Sequence, residues 1–170
     1  LVGSEMCIRD RYVGRAKEIQ KAEKERMNGG HPCQAVPVLK DVMGEVKKQY
    51  PDASRENTGF GSTIFAVKPG DGSAREQAAS CQRVLGAGAN IVNEYATKRY
   101  RSNLINWGML PLQLAGATPF GLGDYVLIPN VREALKGDLQ SIKAYVLGDT
   151  VKEFELYMAC LLYTSDAADD

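Results

Sequence analysis

Residues 62–85 have the sequence STIFAVKPGDGSAREQAASCQRVL, and this stretch decides the fold. The apolar run at residues 63–67 predicts a buried strand over residues 62–67, and the helix-forming residues 75–85 predict a helix. Between them lies a turn of small residues, Gly70-Asp71-Gly72, followed by Ser73. Glycines that connect a strand to a helix are typical of α/β proteins, in which crossover helices join parallel strands.

The same alternation continues toward the C-terminus. Residues 89–95 and 109–114 predict further strands, and residues 98–107 predict the helix between them. After residue 116 short apolar runs alternate with turns, which favours antiparallel strands. These strands are predicted at residues 125–128, 141–147 and 153–157, with a short helix at residues 131–135. We therefore predict an α/β fold of three layers, β/β/α, with a parallel central sheet and an additional antiparallel layer.

The chain before residue 62 is predicted to be helical. Residues 15–27 are charged and helix-forming, and residues 34–50 place apolar side chains on one helical face. The sequence Asn28-Gly29-Gly30-His31-Pro32 ends the first helix. His31 is the only histidine, and its position between glycine and proline predicts that it is exposed and not catalytic.

The turn before the helix at residues 75–85 has two interpretations. Backbone N–H groups at a helix start are unpaired and carry partial positive charge, so they attract anions. Ser73 and Arg75 at such a place suit a small carboxylate, because the guanidinium fork matches a carboxylate. The alternative is structural, since Ser73 and Glu76 have the spacing of a capping box, in which each side chain binds the backbone N–H of the other.

Two motifs resemble the aconitase superfamily. Residues 70–79, GDGSAREQAA, resemble its signature Gly-Glu/Ser-Gly-Ser-Ser-Arg-Glu/Asp-His/Trp-Ala-Ala. Residues 100–104, YRSNL, and residues 108–112, GMLPL, resemble a second segment of that family in the expected order and spacing. Both motifs belong to the C-terminal swivelling domain of aconitase-type hydro-lyases, and the resemblance is strongest to a bacterial branch named only "hydratase". It extends over about residues 12–159.

The resemblance implies roles for five residues. It makes Ser73 the catalytic base, an alkoxide that removes a carbon-bound proton, and Arg75 the residue that holds a substrate carboxylate. The other implied substrate-binding positions are Gly72, Ala74 and Arg101. For Arg101 the alternative is a place near a helix start, where Ser102 and Asn103 are capping residues.

The sequence departs from the family pattern at two positions. Ala74 stands where the family usually has a second serine, so one hydroxyl is missing at the edge of the pocket, although the backbone N–H remains. Gln77 replaces the more common His or Trp. The alanine argues against citrate as substrate more than against hydratase chemistry, and it is the one feature that favours a non-enzymatic relative.

The implied function is dehydration and rehydration of a small hydroxy-polycarboxylic acid. The implied cofactor is a [4Fe–4S] cluster whose ligands belong to other domains, so the chain alone is expected to be inactive. The implied partners are a small hydroxy carboxylic acid and the remaining aconitase domains of the same protein. The alternatives are a dehydratase for another hydroxy acid of the isopropylmalate or homoaconitate type, a non-enzymatic relative that binds a carboxylate or a partner, and an RNA-binding relative.

The composition is typical of a globular protein and indicates neither a nucleic-acid partner nor a membrane-spanning segment. The 170 residues are 44% hydrophobic and 25% charged, and their formal net charge is 0. This balance argues against a nucleic-acid partner, and no apolar run approaches the roughly 20 residues that span a bilayer. Cys33 and Cys81 form no local metal-binding pattern, and we predict that both are inert, Cys81 as a packing residue. A reducing cytoplasm is the expected location.

The two ends of the chain differ from the rest. Residues 1–11, LVGSEMCIRDR, and residues 160–170, CLLYTSDAADD, resemble translated sequencing adapters. We therefore predict that the chain is a metagenomic fragment in which residues 12–159 form the swivel domain. Both ends are expected to pack poorly against it.

Overall fold

The computed structural model of the chain describes residues 4–137, 141–148 and 150–159, with side chains from residue 14 onward. The described helices are α1 (Ser4–Met27), α2 (Pro32–Ala35), α3 (Leu39–Gln49), α4 (Arg75–Val84), α5 (Lys98–Asn106) and α6 (Val131–Leu135). The described strands are β1 (Ser62–Ala66), β2 (Ala87–Val92), β3 (Leu110–Gln113), β4 (Tyr125–Leu127), β5 (Ser141–Leu147) and β6 (Lys152–Met158). Each strand and helix predicted after residue 61 is present within a few residues of its expected bounds. The prediction that the first of these strands is buried is wrong, because β1 lies at the edge of the sheet and its residues are exposed or half-buried.

The six described strands form one sheet in the order β1-β2-β3-β6-β5-β4. Strands β1, β2 and β3 are parallel, with α4 and α5 between them in the chain. Strands β6, β5 and β4 are antiparallel. The two halves meet at a short antiparallel pair, in which Leu112 lies opposite Met158 and Gln113 lies opposite Tyr157. The α/β fold class is confirmed, and the antiparallel layer is continuous with the parallel sheet through this pair.

The antiparallel half packs face to face with the parallel half across one hydrophobic core. The buried side chains that meet there are Ala89, Ile91, Leu112, Leu114, Ala134, Ile142, Ala144, Leu156 and Met158. Phe120 extends this contact, because its ring centroid lies 5.8 Å from that of Phe65 on β1 and 5.7 Å from that of Phe154 on β6. Phe120 therefore contacts side chains of both β1 and β6, two strands that β2 and β3 separate in the sheet.

Helices α4 and α5 cover the opposite face of the parallel strands. The buried cluster on that side consists of Ala79, Ala87, Tyr100, Leu104 and Met109. Side chains alternate between the two faces of a strand, so Ile91 of β2 lies in the core between the halves and Asn90 lies on the helical side. The resulting order of antiparallel strands, parallel strands and helices is the predicted β/β/α arrangement.

The prediction of one helix over residues 34–50 is wrong. The structure has two helices, α2 and α3, separated around Pro37. Proline has no N–H group and disfavours the helical conformation in the residue before it. Val36 is accordingly extended, with φ −137° and ψ 91°. The break allows Val36 and Leu39 to pack together against Ala22 of α1.

Helix α1 begins at Ser4, earlier than the predicted start at residue 15. Its backbone continues without interruption through residue 11, where the sequence suggested a boundary. The interpretation of residues 1–11 as an artefact and the domain span 12–159 stay predictions. Residues 160–170 lie outside the described residues. In the part of the chain that is described, no helix is both long enough and apolar enough to cross a membrane.

Replacing Phe120 with alanine tests the packing between the two halves of the sheet. Phe120 is half-buried between Phe65 and Phe154, so we expect the free energy of unfolding to fall by about 2–3 kcal/mol. Urea unfolding measures this loss. Phe120→Leu keeps most of the apolar volume and should lose about 1 kcal/mol. A loss below about 0.5 kcal/mol for Phe120→Ala would contradict the face-to-face packing.

Candidate functional site

The carboxyl ends of the three parallel strands lie at one edge of the sheet, where ligands bind in α/β proteins. We call the loop after β1, residues 68–74, the serine loop. Its backbone and that of Val67 accept hydrogen bonds from the segment after β2. The Glu94 N–H donates to the Val67 carbonyl oxygen at 3.0 Å, and the Ala96 N–H donates to the Pro69 carbonyl oxygen at 3.0 Å. These bonds hold the serine loop beside the start of α5.

The serine loop also packs directly on α5. Gly70 has a φ of +100°, and a Cβ placed there would lie 2.5 Å from the Cβ of Tyr100. Only glycine fits, because it adopts a positive φ without strain and leaves room for the tyrosine. The hydroxyl of Thr97, the N-cap of α5, donates to the Gly70 carbonyl oxygen at 2.8 Å. The loop that carries Ser73 and the helix that carries Arg101 therefore contact each other.

Ser73 is exposed near the end of the serine loop and does not cap α4. The N-cap of α4 is Ala74, without a side-chain hydrogen bond, so the capping-box interpretation is wrong. The Glu76 carboxylate, which would complete the box, instead accepts from the Trp107 indole N–H at 3.1 Å. Within the described part of the chain no hydrogen bond holds the Ser73 hydroxyl. This hydroxyl therefore lies in solvent in front of the α4 N-terminus.

Arg75 is the first residue of α4 and is half-buried. Its Nε atom is buried and has no hydrogen-bond partner among the described residues. A buried donor on a charged group is costly to leave unsatisfied, so it indicates a partner that comes from outside the fold. A guanidinium binds a carboxylate particularly well, through two parallel N–H···O bonds. Arg75 therefore suits a carboxylate ligand.

Arg101 lies half-buried in the N-terminal part of α5. Ser102 and Asn103 lie inside this helix, so their interpretation as capping residues is wrong. The charge of Arg101 acts on the hydroxyl of Tyr95, which follows β2. Burial and the neighbouring Tyr100 raise the pKa of Tyr95, and Arg101 lowers this pKa in part. Arg101 is therefore close to the segment that borders the serine loop.

The two remaining predicted substrate-binding residues lie on the serine loop. Gly72 and Ala74 are both exposed, and a Cβ at Gly72 would meet no atom within 4 Å. Ala74 immediately precedes α4 and Gly72 lies two residues earlier, at a helix start where the dipole favours negative charge. The structure thus places Ser73 and Arg75 with them at one helix N-terminus, and it places Arg101 on the neighbouring helix.

The sequence patterns do not predict a buried polar network behind the serine loop. Asn90 on β2 is 1% exposed, and its amide nitrogen donates to Gln82 Oε1 at 2.9 Å. Gln82 Nε2 donates to the Tyr100 hydroxyl at 2.7 Å, and the Tyr95 hydroxyl donates to the Asn90 backbone oxygen at 3.1 Å. One feature of the sequence could have predicted this network, namely an asparagine inside an apolar strand, because a buried polar side chain requires hydrogen-bond partners.

The serine loop and α5 fall within a region that matches a known family. The family model of the aconitase C-terminal domain matches residues 16–117. The chain belongs to this family. The resemblance of its two motifs is thereby confirmed, whereas no curated protein gives a significant match to the chain. Membership indicates a domain of the hydro-lyase family, which acts on a small-molecule substrate together with other domains of the same protein.

Aconitase-family proteins generally bind a [4Fe–4S] cluster, which cysteine thiolates hold. The described residues include two free cysteines on different helices. Cys33 packs against the buried apolar side chains Ala22, Val36 and Leu39. Cys81 is exposed on α4, so the prediction that Cys81 is a packing residue is wrong. The described residues contain no group of three or more His, Cys, Asp or Glu side chains that could hold a metal ion. They therefore do not fit the cluster.

The different positions of Ser73 and Thr97 predict different effects on stability. Thr97 caps α5 by accepting from the Tyr100 N–H at 3.3 Å, so Thr97→Ala should lower the free energy of unfolding by about 1–2 kcal/mol. Ser73 caps nothing, so Ser73→Ala should change this free energy by less than about 0.5 kcal/mol. Urea unfolding of both variants measures the difference. Equal losses in the two variants would assign Ser73 a capping role after all.

Proposed function

We propose that this chain is the swivel domain of an aconitase-like hydro-lyase, in which Ser73 is the base and Arg75 holds a substrate carboxylate. One observation carries the proposal. The buried Nε of Arg75, which lacks a partner among the described residues, lies at the same helix N-terminus as the exposed Ser73 hydroxyl. A structural arginine finds its partners within the fold, whereas a carboxylate-binding arginine receives one from the substrate.

The proposed reaction removes water from two adjacent carbons of a hydroxy acid, or adds it. In dehydration, Ser73 Oγ takes a proton from carbon, the C–H electron pair forms the double bond, and hydroxide leaves the neighbouring carbon. Hydration reverses each of these steps. A carbon-bound proton is weakly acidic, and a neutral serine hydroxyl is a poor base, so Ser73 must act as the alkoxide.

Two positive groups beside Ser73 support an alkoxide there. The α4 N-terminus contributes partial positive charge, and the Arg75 guanidinium contributes a full charge. The first turn of α4 also contains Glu76, whose carboxylate accepts from the Trp107 indole N–H at 3.1 Å, so Arg75 is the cation at this helix start. Cations at a helix N-terminus oppose the helix dipole and therefore cost folding free energy. A bound anion offsets this cost, so the charges favour an anionic substrate or intermediate.

The same charges favour a small hydroxy-polycarboxylic acid as substrate. Arg75 would bind one carboxylate with two hydrogen bonds, and Arg101 would bind a second. The backbone N–H groups of Gly72 and Ala74 would complete the contacts on the serine loop. Ala74 offers no hydroxyl, so within the enzyme class a dehydratase for an isopropylmalate- or homoaconitate-type acid is the alternative.

We further propose that the full-length protein carries a [4Fe–4S] cluster whose cysteine ligands lie in its other domains. The described residues of this chain supply a base and carboxylate-binding groups, but they do not fit the cluster. The chain by itself is therefore expected to be inactive. A reducing cytoplasm, which keeps Cys33 and Cys81 as free thiols, is the proposed location.

The absence of a hydroxyl at Ala74 favours a second candidate, a non-enzymatic domain that binds a carboxylate. Such a domain would use Arg75 to bind a hydroxy acid but would convert none. Turnover assays of the full-length protein with a panel of hydroxy di- and tricarboxylic acids separate the candidates. Binding of one of these acids without any turnover would select the second candidate.

Replacing Ser73 in the full-length enzyme tests the base. Ser73→Gly removes the hydroxyl and should lower kcat by about 10²–10⁴-fold. KM should change little, because a base acts on the barrier more than on binding. Steady-state kinetics in both directions measure these constants, and a thermal melt verifies folding. Full activity of a folded Ser73→Gly enzyme would show that another group is the base.

Replacing Arg75 with lysine tests the carboxylate contact. Lysine keeps the charge but loses the two-point fork, so KM should rise about tenfold or more. Arg83→Lys is the matched control, because Arg83 lies at the other end of α4 and donates to the Ala87 carbonyl oxygen at 2.9 Å. Its KM should be that of the parent enzyme. An unchanged KM in Arg75→Lys would remove this arginine from the binding site.

A further inference from the structure

We propose that Thr97 and Tyr100 are positioning residues that set the serine loop relative to α4 and α5. The inference rests on the proposed function, because it concerns the loop that carries the proposed base. Neither residue belongs to the proposed substrate contacts, and Tyr100 is 2% exposed. Their contacts connect the serine loop with both helices whose N-terminal ends form the candidate site.

The Thr97 hydroxyl makes two hydrogen bonds in opposite roles. It donates to the Gly70 carbonyl oxygen at 2.8 Å, and it accepts from the Tyr100 N–H at 3.3 Å. A hydroxyl can do both, because it has one proton to donate and two lone pairs. The first bond holds the serine loop and the second caps α5. One side chain thus ties the position of the loop to the helix that contains Arg101.

The Tyr100 side chain connects the same loop to α4 and β2. Its Cβ and ring lie so close to Gly70 that no side chain fits there. Its hydroxyl accepts from Gln82 Nε2 at 2.7 Å and lies 3.5 Å from Asn90 Nδ2. Gln82 belongs to α4, the helix that begins with Arg75. The serine loop, α4 and β2 therefore all contact one buried side chain of α5.

The hydrogen-bond network around Tyr100 is better explained by the fixed arrangement that it gives the joined groups than by a gain in the free energy of unfolding. The buried Asn90 amide must have hydrogen-bond partners, because burying it without them is costly. An apolar residue would fill the same space in the core and need no such partners. A network whose members are all bonded specifies one arrangement of the groups that it joins. Catalysis depends on such precision, because misplacing a reacting group by about 1 Å can cost two orders of magnitude in rate.

Amide hydrogen exchange of this chain separates the two bonds of Thr97. Thr97→Asp keeps an acceptor for the cap but has no proton for the Gly70 carbonyl, whereas Thr97→Ser keeps both functions. The Ala96 amide, which donates to the Pro69 carbonyl oxygen, reports the attachment of the serine loop, and the Tyr100 amide reports the cap. We expect protection of Ala96 to fall about fivefold in Thr97→Asp alone, with Tyr100 protected in both variants.

The Leu114 amide is the reference for general stability, because it donates to the Val92 carbonyl oxygen at 2.7 Å and takes no part in these contacts. Its protection should be equal in the two Thr97 variants. Unchanged protection of Ala96 in Thr97→Asp would overturn the inference. An equal fall at Leu114 and Ala96 would also overturn it, because the change would then be general.

Kinetics of the full-length enzyme test whether the attachment of the loop matters for turnover. Gly70→Ala forces a methyl group against Tyr100 at φ +100°, whereas Gly108→Ala also places a side chain at a positive φ, +69°, but with no atom within 4 Å. We expect kcat to fall at least about tenfold in Gly70→Ala and in Thr97→Asp. It should be retained in Gly108→Ala and in Thr97→Ser. Full kcat in Thr97→Asp would overturn the positioning role even if Gly70→Ala does not fold.

Failure of this inference can be distinguished from failure of the proposed function. Loss of turnover in Ser73→Gly together with full kcat in Thr97→Asp overturns only the positioning role. Full turnover in Ser73→Gly overturns the assignment of the base, and the positioning role with it, whatever the exchange of Ala96 shows.

Discussion

The close packing of the Gly70 backbone on Tyr100 is the constraint on which the candidate site depends. Tyr100 also belongs to the buried cluster between the parallel strands and their helices. The side chain that holds the helical layer on the sheet thus also determines where the serine loop lies. Because Gly70 has no side chain and a φ of +100°, the loop backbone can approach the ring and turn toward α4. The N-termini of α4 and α5 are held at one edge of the sheet as a result.

The position of Arg75 at the start of α4 opposes the helix dipole and favours an anionic ligand. Helix α3 follows the usual rule, with Asp41 in its first turn and Lys47 and Lys48 in its last. Helix α4 also has an acidic residue in its first turn, Glu76, and a basic one in its last, Arg83, but its first residue is the cation Arg75. Helix α5 has no acidic residue in its first turn. A cation at the start of a helix costs about 0.3–1 kcal/mol against the helix dipole. Arg75 lies where the parallel strands end, and a carboxylate bound there would offset the unfavourable interaction of its charge with the helix dipole.

Local signals in the sequence predict the parallel half of the fold, because apolar runs and glycine stops define β1, α4, β2 and α5. The single helix over residues 34–50 is wrong because the backbone restriction at Pro37 outweighs apolar periodicity. The capping box is wrong because Glu76 has a partner that is distant in sequence, Trp107. The contacts of Thr97 with Gly70 and of Tyr100 with Gln82 are missed for the same reason, since residues that meet only through tertiary packing leave no pattern in the neighbouring sequence.

Under the proposed function, the exposure of Ser73 explains why this domain requires the surface of another domain to exclude water from the site. In water the attraction between an alkoxide and a guanidinium is about 1 kcal/mol at 4 Å, and it becomes several times larger when water is excluded. An exposed serine is therefore a weak base, however well its loop is held. The described fold supplies a fixed loop, a helix N-terminus and Arg75, while exclusion of water must come from another domain that closes over this edge. A preformed loop suits such closure, because ordering a flexible loop at that step would consume binding free energy.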